Sequence, residues 1–226
     1  MRINKYLSDA GYSSRRKADE LVKSGQVFIN GKKAVPLSLV NENDQVKVFG
    51  KLVKKESKKI YLAYHKPVGV ICTTDQSKPN NIIERIGLKE RIYPVGRLDV
   101  ESSGLILLTN DGDFANKLMH PRYGHEKEYL VETGQAVTGM TISQLIKGVR
   151  LEEGLAKADR ASRLSATGIK IVLHQGWNRQ IRRMLEKIGC RVKSLKRVRM
   201  GEIELGPLKP DEWRFLTARE VKESSL

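Results

Sequence analysis

The chain has 226 residues, 39% hydrophobic and 30% charged, which excludes a disordered protein, provides for a sizeable core and leaves room for two domains. Lysine and arginine number 42 against 26 acids, a net charge of +16 that is ill suited to small neutral substrates and suits a polyanion whose counterions are released on binding. No run approaches the roughly 18 apolar residues of a membrane span, the start lacks a signal-peptide apolar region, Cys72 and Cys190 lie far apart, and the four histidines show no metal-ligand spacing, so a cytoplasmic protein with reduced thiols and no metal is expected.

Residues 1–50 read as two short helices and a hairpin. Ile3, Leu7 and Ala10 keep helical spacing before Gly11. Ser13 or Ser14 caps a second helix that turns Ala18, Leu21 and Val22 inward and ends at Gly25. Val27 to Ile29 then meets Asn30-Gly31, the strongest short hairpin signal. The outer face of the second helix carries Arg15, Arg16, Lys17 and Lys23; such a face is often merely solvated, but residues 1–50 hold nine basic residues against five acids. The stretch 51–59, with five lysines and one glutamate, has little to bury and reads as a linker.

From Ile60 onward the texture is rich in strands. Ile60 to Tyr64 and Val70 to Thr74 flank a turn at Lys66 to Gly69, Leu105 to Leu108 is a buried strand, and a helix near Asp113 to Met119 is closed by Pro121. Glu128 to Thr133 is a strand, Thr141 to Lys147 a helix, Ala158 to Leu164 and Ile169 to His174 a strand pair, and Asn178 to Ile188 a helix ended by Gly189. Helices without regular strand–helix alternation predict an α+β fold with a mainly antiparallel mixed sheet and flanking helices.

Two stretches carry candidate chemistry. In Pro94 to Asn110, a loop bracketed by Gly96 and Gly104 displays Asp99 beside Arg97 at the entrance to the buried strand; Asp99 is either a turn-capping side chain or a displayed functional carboxylate. From Gly176 to Arg199 there are nine lysines and arginines against one acid, a net +8 in 24 residues. Ile181, Met184, Leu185 and Ile188 form one apolar stripe there, so Arg179, Arg182 and Arg183 cannot all point the same way. Cations at a helix start are disfavoured, so a buried carboxylate or an RNA phosphate must compensate them. Glu101, two residues beyond Asp99, suggests a glycosidase pair, but no second acid recurs in a like setting.

Arg2 to Leu7, Ser14 to Asp19 and Gly25 to Lys32 resemble the S4-type RNA-binding domain. Gly96-Arg97-Leu98-Asp99 with Ser103-Gly104-Leu105, Lys66-Pro67 with Gly69, Glu126 to Val131, and Gly176 with Asn178 to Met184 are similar, in order, to the ribosomal RNA pseudouridine synthases of the RsuA type. The basic end of the helix and Asp211 to Thr217 resemble the branch that modifies large-subunit RNA. The resemblance implies a small S4-like α/β domain at 1–50, a linker at 51–59 and a catalytic domain at 60–226. It implies a cofactor-independent isomerisation of uridine to pseudouridine, with Asp99 as the catalytic carboxylate. Arg182 is the implied cationic partner of Asp99, Tyr129 stacks on the base, Arg97 replaces the extruded nucleotide and Ile181 walls the pocket.

RNA contacts are expected from Arg2, Lys5, Arg15, Arg16, Lys17, Lys23, Lys32, Arg179, Arg183, Lys196 and Arg197. The expected partner is a structured stem-loop of ribosomal RNA or an assembly intermediate, bound by a monomer with no membrane attachment. The competing readings are a non-enzymatic RNA-binding or ribosome-assembly protein, for which Asp99 is immaterial, and a helix-turn-helix DNA-binding protein, which leaves the C-terminal sheet without a task.

Overall fold

The computed structural model describes residues 1–54 and 58–224. The chain divides into two compact units, one gathering residues 1–60 with 89–91 and 110–112, the other holding the rest.

In the first unit the helices α1 (Ile3–Asp9) and α2 (Arg15–Lys23) precede the strands β1 (Val27–Ile29), β2 (Lys32–Lys33), β3 (Val46–Val48) and β4 (Lys51–Leu52). Ser14 caps α2, its side chain accepting from the Lys17 N–H. Asn30 and Gly31 take φ of 51° and 78°, the paired left-handed conformation of a tight hairpin. The sheet runs β2-β1-β3-β4, and Ile3, Leu7, Ala18, Leu21, Val22 and Val27 pack with Val46 and Val48. The linker expected at 51–59 needs correction: Lys51 and Leu52 pair with β3, and Val53 is buried in the same core. Its lysines masked a strand, because an edge strand exposes one row of side chains and tolerates charge there. Residues 55–57 of that stretch lie outside the described residues.

In the second unit the elements follow as β5 (Tyr61–Lys66), α3 (Ile82–Ile86), β6 (Tyr93–Val95), β7 (Ser103–Thr109), α4 (Gly112–Met119), β8 (Lys127–Thr133), α5 (Gly139–Lys147), β9 (Val149–Leu151), β10 (Gly154–Ala156), β11 (Arg160–Arg163), β12 (Gly168–Leu173), α6 (Gln180–Lys187), β13 (Val192–Met200), β14 (Ile203–Glu204), β15 (Trp213–Phe215) and α7 (Ala218–Glu223). The main sheet has the order β11-β12-β8-β13-β7-β5-β15, with β14 on β13 and β6 on β7. Every pairing is antiparallel except that of β13 with β7. This is the mixed, mainly antiparallel α+β sheet that the pattern predicts.

Leu105 to Leu108 are fully buried at the sheet's centre, each contributing about 1.5–3 kcal/mol of transfer energy. Leu105 and Leu107 pack with Phe114, Ala115 and Leu118 of α4. The strand expected at Val70 to Thr74 does not form. Ile71 makes one isolated bridge to Asn81, its N–H going to Asn80 and its carbonyl accepting from Ile82, so the chain folds back on the capped start of α3 instead of joining the sheet.

Candidate active site

The Asp99 loop leaves β6 at Val95 and enters β7 at Ser103. The Ser102 N–H donates to the Asp99 carbonyl at 3.0 Å, closing a turn. Beneath it lies Lys66, 0% exposed, whose Nζ donates to the carbonyls of Pro67 and Ser102 at 2.8 Å each and of Val100 at 3.5 Å. Burial pushes the Lys66 ammonium below its ordinary pKa, with the Asp99 charge acting in the opposite direction. The Gly69 N–H binds the Val100 carbonyl at 2.8 Å and the Leu98 N–H reaches Cys72 Sγ at 3.5 Å. The loop is thus fixed from below by three separate anchors, and Asp99 is left half-buried above them with no ion pair among the described residues.

Gly104 explains how two strands reach the site. Its φ is +107°, and a Cβ there would lie 2.1 Å from the Arg197 carbonyl oxygen and 2.6 Å from its nitrogen. Only glycine lets β7 and β13 run parallel at this point, where Arg197 pairs with Gly104.

Asp99, Arg97, Tyr129, Ile181, Arg182, Arg179 and Arg197 all line one cavity of about 1060 Å³, together with Lys127, Leu195 and Trp177. Five cations, Arg97, Lys127, Arg179, Arg182 and Arg197, face one carboxylate, Asp99, in this lining. Tyr129 is 9% exposed and Ile181 buried, while Arg97 stands exposed on the loop.

The helix α6 starts at Gln180 with Arg179 as its cap residue at φ +50°, a conformation unusual for a non-glycine residue. Its arginines are compensated by acids, as the dipole argument requires, although the acid at the site is exposed instead of buried. Glu101 Oε2 lies 3.1 Å from Arg179 and 3.8 Å from Arg182. Among the described residues Arg182 forms no ion pair with Asp99, the partner that the resemblance implies, although the two charges interact. It donates to the Glu101 carbonyl at 3.1 Å and to Ser102 Oγ at 3.3 Å, so it grips the loop that presents Asp99. Burial lowers the Arg182 pKa, with Glu101 and more weakly Asp99 opposing.

Two of the expected RNA contacts are not placed to meet a phosphate at the surface. Arg183 makes a two-pronged pair with Glu153 at 2.9 and 2.7 Å, turned away by the apolar stripe of its own helix. Arg197 is 2% exposed in the middle of β13, with its Nε donating to the Leu105 carbonyl at 2.7 Å. Lys196 is half-buried. In the first unit, Arg2, Arg15, Arg16, Lys17, Lys23 and Lys32 are exposed, while Lys5 is partly covered and pairs with Asp9 at 3.0 Å.

Lys66, Lys127, Leu195 and Glu101 belong to the site's construction but not to its predicted residues. Lys66 reads as part of a turn because one lysine beside a proline carries no burial signal. Leu195 carries a signal in the sequence: in an extended segment, Leu195 and Arg197 share a face, an alternation that the charge balance of the segment does not reveal.

Residues 60–187 match the RNA pseudouridylate synthase family and residues 1–46 the S4 domain. The chain is 41% identical over 98% of its length to the dual-specificity RNA pseudouridine synthase RluF of Escherichia coli O6:H1, covering 77% of that protein. It is 41% identical to ribosomal large subunit pseudouridine synthase B of Bacillus subtilis, over 98% of this chain and 94% of that protein. A crystal structure of a pseudouridylate synthase superposes with a TM-score of 0.74 at 25% identity, covering 99% of both chains. With the family match over more than half of its length and an S4 domain ahead of it, the chain belongs to the RNA pseudouridylate synthase family.

Proposed function

We propose that the protein converts a specific uridine to pseudouridine in ribosomal RNA of the large subunit, with Asp99 as the catalytic carboxylate. The observation that carries this reading is the cavity in which Asp99 is, among the described residues, the lone carboxylate facing five cations, with Tyr129 lining the same cavity. The name of the Bacillus subtilis relative, a ribosomal large subunit pseudouridine synthase, supports large-subunit RNA as the substrate.

The target nucleotide leaves its stack, at a cost of a few kcal/mol, and Arg97 on the exposed loop fills the place it vacates. The base lies against Tyr129, with Ile181 as an apolar wall. Asp99 acts at the sugar or the base while the N1–C1′ bond breaks and its electron pair passes to the uracil. The base turns, C5 bonds to C1′, the C5 proton is removed and N1 is protonated, so the product is an isomer of the substrate. The Tyr129 hydroxyl serves in the proton transfer at C5. Arg182 holds the loop through Glu101 and Ser102 and contributes positive potential to Asp99.

Residues 1–53 form the RNA-binding domain in this reading, gripping structured RNA through Arg2, Lys5, Arg15, Arg16, Lys17, Lys23 and Lys32, and residues 60–226 form the catalytic domain. Arg179 and Lys196 add phosphate contacts beside the cavity. The enzyme acts as a cytoplasmic monomer; no described helix is long and apolar enough to cross a membrane. The test is to incubate the purified protein with unmodified large- and small-subunit RNAs and map new pseudouridines. Conversion at one or a few sites of the large-subunit RNA is expected. Conversion confined to small-subunit RNA would overturn the choice of substrate, and none in any RNA would overturn the activity.

A further inference from the structure

We propose that Arg197 contacts the flipped base directly, donating a hydrogen bond from Nη2 to a carbonyl oxygen of the uracil. The inference rests on the isomerase reading above and adds a substrate-contacting residue to it.

Arg197 sits on β13, fully interior, and lines the cavity that holds Asp99. Its Nε is satisfied by the Leu105 carbonyl, but its Nη2 is buried and has no hydrogen-bond partner among the described residues. A merely structural strut accounts for the first nitrogen and leaves the second unexplained. Buried donors without partners are rare and costly, and a charged donor more so. The one carboxylate in the cavity lining, Asp99, forms no ion pair with Arg197 among the described residues. An acceptor carried in by the substrate completes the group.

The register says which part of the substrate that is. Arg197 lies directly opposite Tyr129 on the neighbouring antiparallel strand, so the two side chains leave the sheet on the same face at adjacent positions. Leu195 and Ile181 line the same cavity with apolar surface. A flat base resting among these side chains brings its carbonyl edge, not a phosphate, to a guanidinium set this deep. Phosphate is served by the exposed arginines of the cleft.

The chemistry favours the same assignment. Arginine only donates, and uracil offers O2 and O4 as acceptors. When the N1–C1′ bond breaks heterolytically, the electron pair left on N1 is shared by conjugation with those oxygens. A preorganised donor therefore binds the detached base more strongly than the intact nucleoside, which lowers the barrier and not only the dissociation constant.

The experiment is a coupled substitution on a short RNA carrying the uridine mapped with the wild-type enzyme, made with uridine, 2-thiouridine or 4-thiouridine at that position. Sulfur accepts hydrogen bonds more weakly than oxygen. Single-turnover rates are compared for the wild type, Arg197→Met and Arg197→Lys, with melting curves establishing that each variant folds. The wild type should lose about 10-fold or more on one thio-substrate. Arg197→Met should be about 10- to 100-fold slower on uridine and show no further loss on that same thio-substrate. If the methionine variant does not fold, the lysine variant carries the comparison. The responding position identifies the contacted oxygen. A wild type indifferent to both sulfurs, or losses that add independently in the variant, would overturn the inference while leaving the isomerase reading intact. A wild type that converts no uridine would overturn both.

Discussion

The two basic regions of the chain look alike in sequence and are used differently. On α2, Arg15, Arg16 and Lys23 are exposed and form no ion pair among the described residues, and Lys17 has only the exposed Glu20 at 3.0 Å. From α6 through β13, Arg183 is held by Glu153, Arg199 by Glu126 and Glu128, Arg182 by the Asp99 loop, and Arg197 lies inside the sheet. The first set is an electrostatic footprint for a polyanion. The second is construction material, in which most cations are spent on positioning and a few are left to face the cavity. Charge density in a sequence reports the balance of a segment, whereas the phase of its apolar residues decides what each cation can reach.

The largest effect outside Asp99 itself should come from the buried cation beneath the loop. Lys66→Met removes the donor shared by the Pro67 and Ser102 carbonyls, letting the Asp99 carboxylate drift, and misplacement of about 1 Å costs on the order of 10²-fold in rate. The expected result is a kcat lowered about 100-fold with KM little changed; a KM effect alone would assign Lys66 to RNA binding. Gly104→Ala should destabilise the fold by about 3 kcal/mol or more in urea titration, because its Cβ meets the Arg197 backbone at 2.1 Å and its φ is +107°. A neutral result would mean that β7 and β13 can separate without loss.

The contrast between the two basic regions is sharpened by salt titration of RNA binding. Arg15→Ala combined with Arg16→Ala should reduce the slope of log K against log salt by about 1–2, whereas Arg183→Ala should leave the slope unchanged and cost under about 1 kcal/mol of stability. Equal slope changes would mean that the two basic regions meet RNA in the same way. A smaller effect concerns another cation committed to an internal partner. Arg214 holds Glu220 at 2.8 and 2.6 Å, and this pairing, with the capping bonds of Thr217, pulls the Glu220 carboxyl down to about 2. A depressed folded-state pKa gives stability that is present above the ordinary glutamate value of about 4.5 and is lost as pH falls toward about 2. Arg214→Gln should flatten that part of the acid unfolding profile, and an unchanged profile would show the pair to be inert.

The sequence made the local devices of the fold legible, because each depends on neighbours in the chain. The Ser14 cap, the Asn30-Gly31 turn, the buried run at Leu105 to Leu108 and the pairing of 160–163 with 168–173 all follow from spacing of a few residues. Non-local features were not readable in the same way. Nothing near Arg197 announces that Gly104, some 90 positions earlier, will lie against its backbone, and nothing near Lys66 announces a loop that closes over it at Ser102. The site residues were found through their resemblance to a family, and the structure brought Asp99, Tyr129, Ile181, Arg97 and Arg182 to one cavity. It sent Arg182 to Glu101 and Ser102, because the arginine reaches the loop's own carbonyl and hydroxyl there.

The most direct test of the account is the Asp99→Asn variant, assayed for conversion and RNA binding in parallel. Asparagine keeps the size of the side chain and removes the charge and the nucleophile. The account predicts a rate at least about 10³-fold lower, with RNA affinity within a few-fold of wild type. Pseudouridine formation at the wild-type rate would contradict it.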